Sequence, residues 1–254
     1  MPAPNAEPEV VAAPVSTRSR EALLDNPILN SLQTEHRTFA LSEGSARCYL
    51  PTIGPLSGVP DQSGESYYAL SVLSGRGGIL ALFLPDPPAP PFGWSLFRGG
   101  NLIQMICRVP SLVETRNFAA GVKLRRLGAN DVPAMIELAT LTEPGPFRER
   151  TIELGNFYGI FEGDRLLAMT GQRMRIPGFV EVSAVCTHPE VRGRGYAGIL
   201  MSEVIRDIAA EGATPILHAL AENPAVRLYE RLGFTHRRSF HLAVIKRDGS
   251  DPRG

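Results

Sequence analysis

Lysine is nearly missing from this sequence. Of its 26 basic residues only Lys123 and Lys246 are lysines, and the rest are arginines. That bias reads as GC-rich codon usage and hints at a bacterial source rather than at a function. Surplus charge is missing as well, because 26 acidic residues cancel the 26 basic ones. A nucleic-acid coat or a polybasic membrane-surface protein needs an excess of cations, so zero net charge argues against both, although it does not exclude a local basic pocket. Cysteine is scarce. Cys48, Cys107 and Cys186 cannot all pair and form no CxxC. A secreted disulfide framework is thereby disfavoured, and a reducing, cytoplasmic location is expected. No run of 18 apolar residues is available to span a membrane. Residues Met1 to Arg20 carry acids and prolines where a signal peptide needs basic and then apolar residues. The five histidines and three cysteines show no ligand spacing, so no metal is expected.

What the chain does have is turn residues and enough apolar side chains for a core. It holds 25 glycines and 22 prolines in 254 residues, above the roughly 12% of an average chain. Hydrophobic residues make up 43%, which describes a soluble globular protein. The length allows one large domain or two modest ones. Residues 1–20 and 248–254 read as flexible ends. Residues 21–117 read as a short-stranded α+β unit, with helical spacing from Asp25 to about Ala40. Its apolar segments are Cys48–Leu50, Tyr67–Leu73, Gly78–Leu84, Trp94–Phe97 and Leu102–Val109. Five prolines between Pro85 and Pro91 make a stiff loop that can join neither helix nor ladder.

A second unit covers 118–247. Val122–Leu127 is a strand candidate, followed by a helix from Asp131 to about Leu141 with Pro133 early, where its missing N–H is harmless. Asn156–Phe161 and Leu166–Arg175 flank Glu162-Gly163-Asp164 as a hairpin. Phe179–Thr187 alternates, with Val180, Val182, Ala184 and Cys186 on one face and Glu181, Ser183, Val185 and Thr187 on the other. Then come a glycine-rich turn, a helix Tyr196–Glu211, a strand Pro215–Leu220, a helix Pro224–Leu232 and a strand Phe240–Lys246. The helix after the turn carries Ala197, Leu200, Met201, Val204, Ile205 and Ile208 as a 3.6-residue stripe. Its N-terminus has Arg192-Gly193-Arg194-Gly195 and no Ser, Thr, Asp or Asn to cap it. Glycine lets an anion approach the orphan amides, and the helix dipole and two arginines favour negative charge there. A phosphate or pyrophosphate is the simplest occupant.

Residues Arg192 to Ala197 match the Q/R-x-x-G-x-G/A pattern of the GNAT acyltransferase superfamily. The segment Asn223-Pro224-Ala225-Val226-Arg227-Leu228-Tyr229-Glu230-Arg231-Leu232-Gly233-Phe234 resembles the family's second signature. The resemblance covers about 121–247, in the family's order of elements, and points to a bacterial branch with an additional N-terminal domain. It implies a mixed, mostly antiparallel sheet flanked by helices, beside a smaller N-terminal α+β domain that can be read as a decayed copy of the same fold. Strands 179–187 and 215–220 would be parallel and splayed, with acetyl-CoA in the gap. The resemblance puts its pyrophosphate on Arg192, Gly193, Arg194, Gly195, Tyr196 and Ala197. Its pantetheine arm would lie along the backbone of Val185, Cys186 and Thr187, with Asn223 as a further contact. Tyr229 would then be the general acid that protonates the leaving thiolate. Glu181 is the candidate base by strand position, and His218 the second.

Competing readings exist for these residues. Gly193-Arg194-Gly195-Tyr196-Ala197-Gly198 also spells the dinucleotide fingerprint G-x-G-x-x-G. Against it, residues His188 to Arg192 separate strand from glycine, and too little chain follows for the remaining strand–helix units. Asn223 is a natural N-cap ahead of Pro224. Cys186 reads as a small buried hydrophobe. Arg237 and Arg238 could reach cofactor phosphates or simply face solvent. The expectation is an acetyl-CoA-dependent N-acetyltransferase acting on a primary amine, a small molecule or a peptide, with no nucleic-acid or membrane partner. A homodimer is compatible with it. The alternative is a non-catalytic acyl-CoA-binding module.

Overall fold

The computed structural model describes residues 20–114 and 118–248. The flexible ends expected at 1–20 and 248–254 therefore lie outside the described residues, apart from Arg20 and Asp248. The chain begins with α1 (Pro27–Gln33), a three-stranded sheet of β1 (Ala40–Glu43), β2 (Ala46–Tyr49) and β3 (Ser57–Gly58), and α2 (Gly64–Ser74). Next come β4 (Ile79–Leu84), β5 (Trp94–Cys107), β6 (Val122–Arg126), α3 (Val132–Thr142), β7 (Phe157–Glu162), β8 (Arg165–Ile176) and β9 (Phe179–Thr187). The chain closes with α4 (Tyr196–Ala210), β10 (Thr214–Leu220), α5 (Val226–Arg231) and β11 (Phe234–Arg247). Strands β4 to β11 form one sheet in the order β4-β11-β5-β10-β9-β8-β7-β6. Its strand pairs are antiparallel except β9 with β10.

The boundary expected between 117 and 118 separates β5 from β6 in sequence, yet both belong to the same sheet. Backbone hydrogen bonding is the reason. Strand β5 runs antiparallel to β11 along its whole length and to β10 through Leu102–Ile106. On its own, the first half would leave both edges of β5 bare. Of the first half, α1, α2 and the small sheet stand beside the main sheet rather than within it. Side-chain packing tells the same story: Ile28, Leu32, Tyr49 and Leu56 share a buried cluster with Met174 and Phe240.

Several local expectations change. The apolar segment Tyr67–Leu73, in a unit read as short-stranded, is part of the helix α2. Ser63 Oγ accepts from the Ser66 amide at 3.3 Å to start the helix, and Gly75 at φ +66° follows its end. Trp94–Phe97 and Leu102–Val109 merge into β5, and the last strand starts at Phe234 rather than Phe240. The hairpin from β8 to β9 turns through Pro177 and Gly178, the latter at φ +85°.

Helices cover both faces of the sheet. On one side α4 packs Met201, Val204, Ile205 and Ile208 against Val180, Val182, Leu217 and Phe234. On the other, α3 packs Met135 and Leu138 against Phe157, Met169, Ala184 and Cys186. The alternation expected along β9 therefore breaks after Ser183. Ala184 sits at φ +51°, and the register slips: Met169 faces Cys186, but Gly171 faces Ser183. This β-bulge turns Ala184 and Cys186 toward α3 and Val185 toward α4. Among the described residues, no helix is long and apolar enough to cross a membrane, and no cluster of His, Cys, Asp or Glu is placed to hold a metal.

A buried polar chain anchors α1. His36 Nδ1 lies 2.8 Å from Tyr49 Oη, which lies 3.0 Å from Ser31 Oγ. Burial, reinforced by the Arg175 charge, lowers the His36 pKa to about 4. The unfolded chain would then take up a proton near 6.5 that the folded chain refuses until about 4, so stability falls as pH drops through that window. The expected loss is at most about 3 kcal/mol. Urea unfolding at pH 7 and pH 4.5 should show it in the wild type, and His36→Gln should be markedly less pH-dependent over the same interval.

Candidate active site

Strands β9 and β10 pair only at their beginnings. Thr214, Pro215 and Ile216 face Phe179, Val180 and Glu181, and no β10 partner follows on that edge of β9. From Ile216 onward β10 is held by β5 on its other side. The two parallel strands thus diverge, and a cavity of about 610 Å³ opens between them. Residues 182–185 of β9 and 217–220 of β10 line it. One wall is Thr140 and the loop Glu143–Phe147 after α3, and the opposite wall comes from the first half of the chain through Phe83, Arg98 and Leu102.

Tyr229, on α5, reaches this cavity, and its hydroxyl has no hydrogen-bond partner among the described residues. Burial raises its pKa to about 12, so the hydroxyl keeps its proton. Asn223 lines the same cavity. Its Oδ1 accepts from the Ala225 amide at 2.9 Å, and its Nδ2 has no protein partner among the described residues. The capping and ligand-facing readings of Asn223 are thus compatible, although α5 itself begins later than expected, at Val226.

The turn before α4 has the geometry of an anion site. Gly193 and Gly195 both take φ +81°, and Gly195 is the N-cap without a side-chain cap. No acceptor among the described residues satisfies the amides of Tyr196, Ala197 and Gly198. Arg192 and Arg194 are exposed beside them. Of the residues expected to hold a cofactor, Val185 and Asn223 line the cavity. Cys186 and Thr187 continue the unpaired edge of β9, and Arg192 to Ala197 lie at the head of α4. The Cys186 thiol is buried, which pushes its pKa up to about 12 and makes it a packing group. Arg237 and Arg238 point elsewhere, both to Asp25 Oδ1 at 2.9 Å.

Glu181 does not line the cavity. It is fully buried, beneath the point where β9 and β10 part. Arg173 Nε and Nη2 each donate to its carboxylate at 2.7 Å, His218 Nδ1 donates at 2.7 Å, and the Met174 amide adds a contact at 3.3 Å. Burial alone would raise its pKa, but the Arg173 charge and these hydrogen bonds outweigh it and hold the group at about 2. A carboxylate so saturated is a poor proton acceptor. Both ring nitrogens of His218 are occupied too. Its side chain is 1% exposed, and Gln104 Nε2 approaches its Nε2 at 2.9 Å. Gln104 is oriented by Arg237 Nη1 donating to its oxygen at 2.9 Å and by its nitrogen donating to the Leu24 carbonyl at 3.0 Å. The amide nitrogen therefore donates to His218 Nε2, while Nδ1 donates to Glu181.

Sequence reasoning missed Arg173, Ser183, Arg98 and Glu143, all of which line the cavity. A signal existed for Arg173. Turning the chain through Pro177-Gly178 sets it diagonally across from Glu181, an arginine and an acid inside otherwise apolar strands. Glu143 and Arg98 carried none, because loop closure and sheet order decide where they lie.

A family model described as FR47-like protein matches residues 157–242. A GNAT-family protein from Novosphingobium aromaticivorans is 39% identical, with a TM-score of 0.79 over 89% of this chain and 98% of its own. The fold also resembles a GCN5-related N-acetyltransferase from Kribbella flavida, with TM-score 0.58, 17% identity, and coverage of 89% and 95%. A tandem GNAT protein from the clavulanic acid biosynthesis pathway gives TM-score 0.53 at 16% identity, covering 81% and 79%. No curated protein sequence matches the chain.

Glu181→Ala would strand a buried guanidinium and should destabilise the fold by about 3–5 kcal/mol. Tyr229→Phe, which removes a hydroxyl without a protein partner, should stay within about 1 kcal/mol. Denaturant midpoints for the two variants check this contrast.

Proposed function

The chain belongs to the GNAT acetyltransferase superfamily, and from that premise we propose that it transfers an acetyl group from acetyl-CoA directly to a primary amine. The observation that carries the reading is a splayed pair of parallel strands that ends at an uncapped, glycine-rich helix start. The Arg192–Ala197 turn would hold the pyrophosphate. The unpaired edge formed by Val185, Cys186 and Thr187 would run beside the pantetheine arm, and Asn223 Nδ2 would offer it a donor. When bound, the cofactor supplies a thioester as acyl donor. Three buried free thiols fit work in a reducing compartment such as the cytoplasm.

Tyr229 is proposed as the general acid. At a pKa of about 12, complete proton transfer to a thiolate of ordinary value, about 8.5, is uphill by roughly 5 kcal/mol. Tyr229 therefore stabilises the departing sulfur through a strong hydrogen bond. It would yield its proton to the sulfur only as the new C–N bond forms, and the proton that the amine nitrogen then sheds would restore the tyrosine hydroxyl, so that one proton passes in net from nitrogen to sulfur. Glu181 is assigned to positioning, since it holds Arg173 and His218 in place. Glu143, the one carboxylate among the described cavity-lining residues, is the group available to an incoming ammonium.

Acetyl-CoA at about 100 times its Kd should raise the unfolding midpoint by several degrees, corresponding to about 2.7 kcal/mol. Reversing both exposed arginines, Arg192→Glu with Arg194→Glu, should remove most of that shift; a shift with NAD alone would reverse the assignment of the glycine turn. In Tyr229→Phe the acetyl-CoA shift should persist while kcat falls about 100-fold or more. Unchanged turnover would remove Tyr229 from the chemistry. Normal binding by the wild type with no turnover on any amine would favour the acyl-CoA-binding module.

A further inference from the structure

The guanidinium of Arg173 is only partly used. Its Nε and Nη2 grip Glu181, and Nη1 has no hydrogen-bond partner among the described residues. The side chain is 12% exposed, and that remnant opens into the cavity. Nη1 lies against the loop after α3: a Cβ built on Gly145 would sit 4.0 Å from it, and Gly145 has φ +123°, a conformation that disfavours a side chain. Ser183, on the same wall, also presents a hydroxyl with no partner among the described residues. The cavity wall thus carries, at Arg173 and Ser183, N–H and O–H donors that have no acceptor among the described residues.

Such an arrangement selects its occupant. Donors held near burial without acceptors are costly, so the ligand that fills this end must accept hydrogen bonds there. An ionised carboxylate is acceptor-only and takes several donors at once, so it can accept from Arg173 Nη1 and from the Ser183 hydroxyl together, the first bond being charge-assisted. Because Glu181 immobilises Arg173 from behind, little side-chain freedom is lost on binding. Glu143 supplies the complementary charge within the same cavity. One carboxylate and one guanidinium N–H pair correspond to the two ends of a zwitterion.

Resting on the acetyl-transfer reading above, we propose that the acceptor is an amine that itself carries a carboxylate, an amino acid, with that carboxylate bound by Arg173 Nη1 and Ser183 Oγ. Arg173 is then a specificity-determining residue rather than a member of the proton-transfer machinery.

The test uses the full chain, acetyl-CoA, the common L-amino acids, β-alanine and 4-aminobutyrate, each beside its carboxamide. Acetyl-CoA binding is read first by thermal shift, and CoA release is then followed for each acid and amide. At least one acid should be acetylated, and its amide should lose about 10- to 100-fold in kcat/KM, mostly through KM. Arg173→Lys keeps a cation beside Glu181 but withdraws the spare N–H pair. It should raise KM for the acid more than for the amide, so that the acid's advantage over its amide in kcat/KM collapses towards one. Ser183→Ala should do the same more weakly. Should Arg173→Lys fail to fold, the acid–amide comparison in the wild type and Ser183→Ala decide the matter. Amides used as well as acids, or no acid acetylated despite acetyl-CoA binding, would overturn the proposal and leave the cofactor reading standing. Absence of any acetyl-CoA shift would overturn both.

Discussion

A line of hydrogen bonds runs across five adjacent strands and sets the geometry of everything near the cavity. It passes from Arg173 on β8 to Glu181 on β9, His218 on β10, Gln104 on β5 and Arg237 on β11, and ends on Asp25. Its middle link replaces backbone pairing. Glu181 is the last residue of β9 paired with β10, and His218 lies two residues beyond the last paired residue of β10. The side chains hold the strands together at the point where the main chains let go. Without such a tie, two parallel strands with unsatisfied edges would tend to zip closed or slip in register. The polar chain costs desolvation, yet from Glu181 to Arg237 each link joins a donor to an acceptor, and only Arg173 Nη1, which faces the cavity, is left over; pairing of that kind is what lets a buried network specify one arrangement.

The first half of the chain is part of this device. Gln104 and Phe83 contact His218 from β5 and β4, the ring centroids of Phe83 and His218 being 4.9 Å apart. The 3-10 turn Ala22–Asp25 is anchored to Arg237, and the Glu21 carbonyl accepts from the same guanidinium at 2.8 Å. The segment before residue 108 thus supplies a central strand, a cavity wall and one end of the network.

Much of the second half was legible because its signals are local. Strand β9 is read correctly end to end, and α4 is marked by a stripe of Leu200, Met201, Val204, Ile205 and Ile208. The glycine turn is visible as a helix start without a cap. What escaped is what tertiary structure decides. The face swap at Ala184 depends on a bulge that alternation alone cannot reveal. Tyr67–Leu73 is too short an apolar run to separate helix from strand without seeing what Ser63 caps. The join of β5 into the sheet depends on partners more than 100 residues away. Glu181 shows the same limit on the chemical side. Strand position made it a plausible base, but burial and the arginine grip that changes its character are properties of the folded protein.

Strand β5 has a further consequence, for the order in which the chain can assemble. Both of its neighbours are made late: β10 begins at Thr214 and β11 at Phe234, whereas β5 ends at Cys107. During synthesis at about 5–20 residues per second, β5 waits roughly 5–20 s before β10 has been made. For that interval it is an apolar strand with two open edges, and none of its pairings in the sheet can form from the residues already present. Contacts of this sequence separation are slow to form and leave the nascent chain exposed to misassociation. The neighbouring Pro85–Pro91 loop cannot join a ladder. Its stiffness keeps one flank of the waiting strand from extending into a longer aggregating segment.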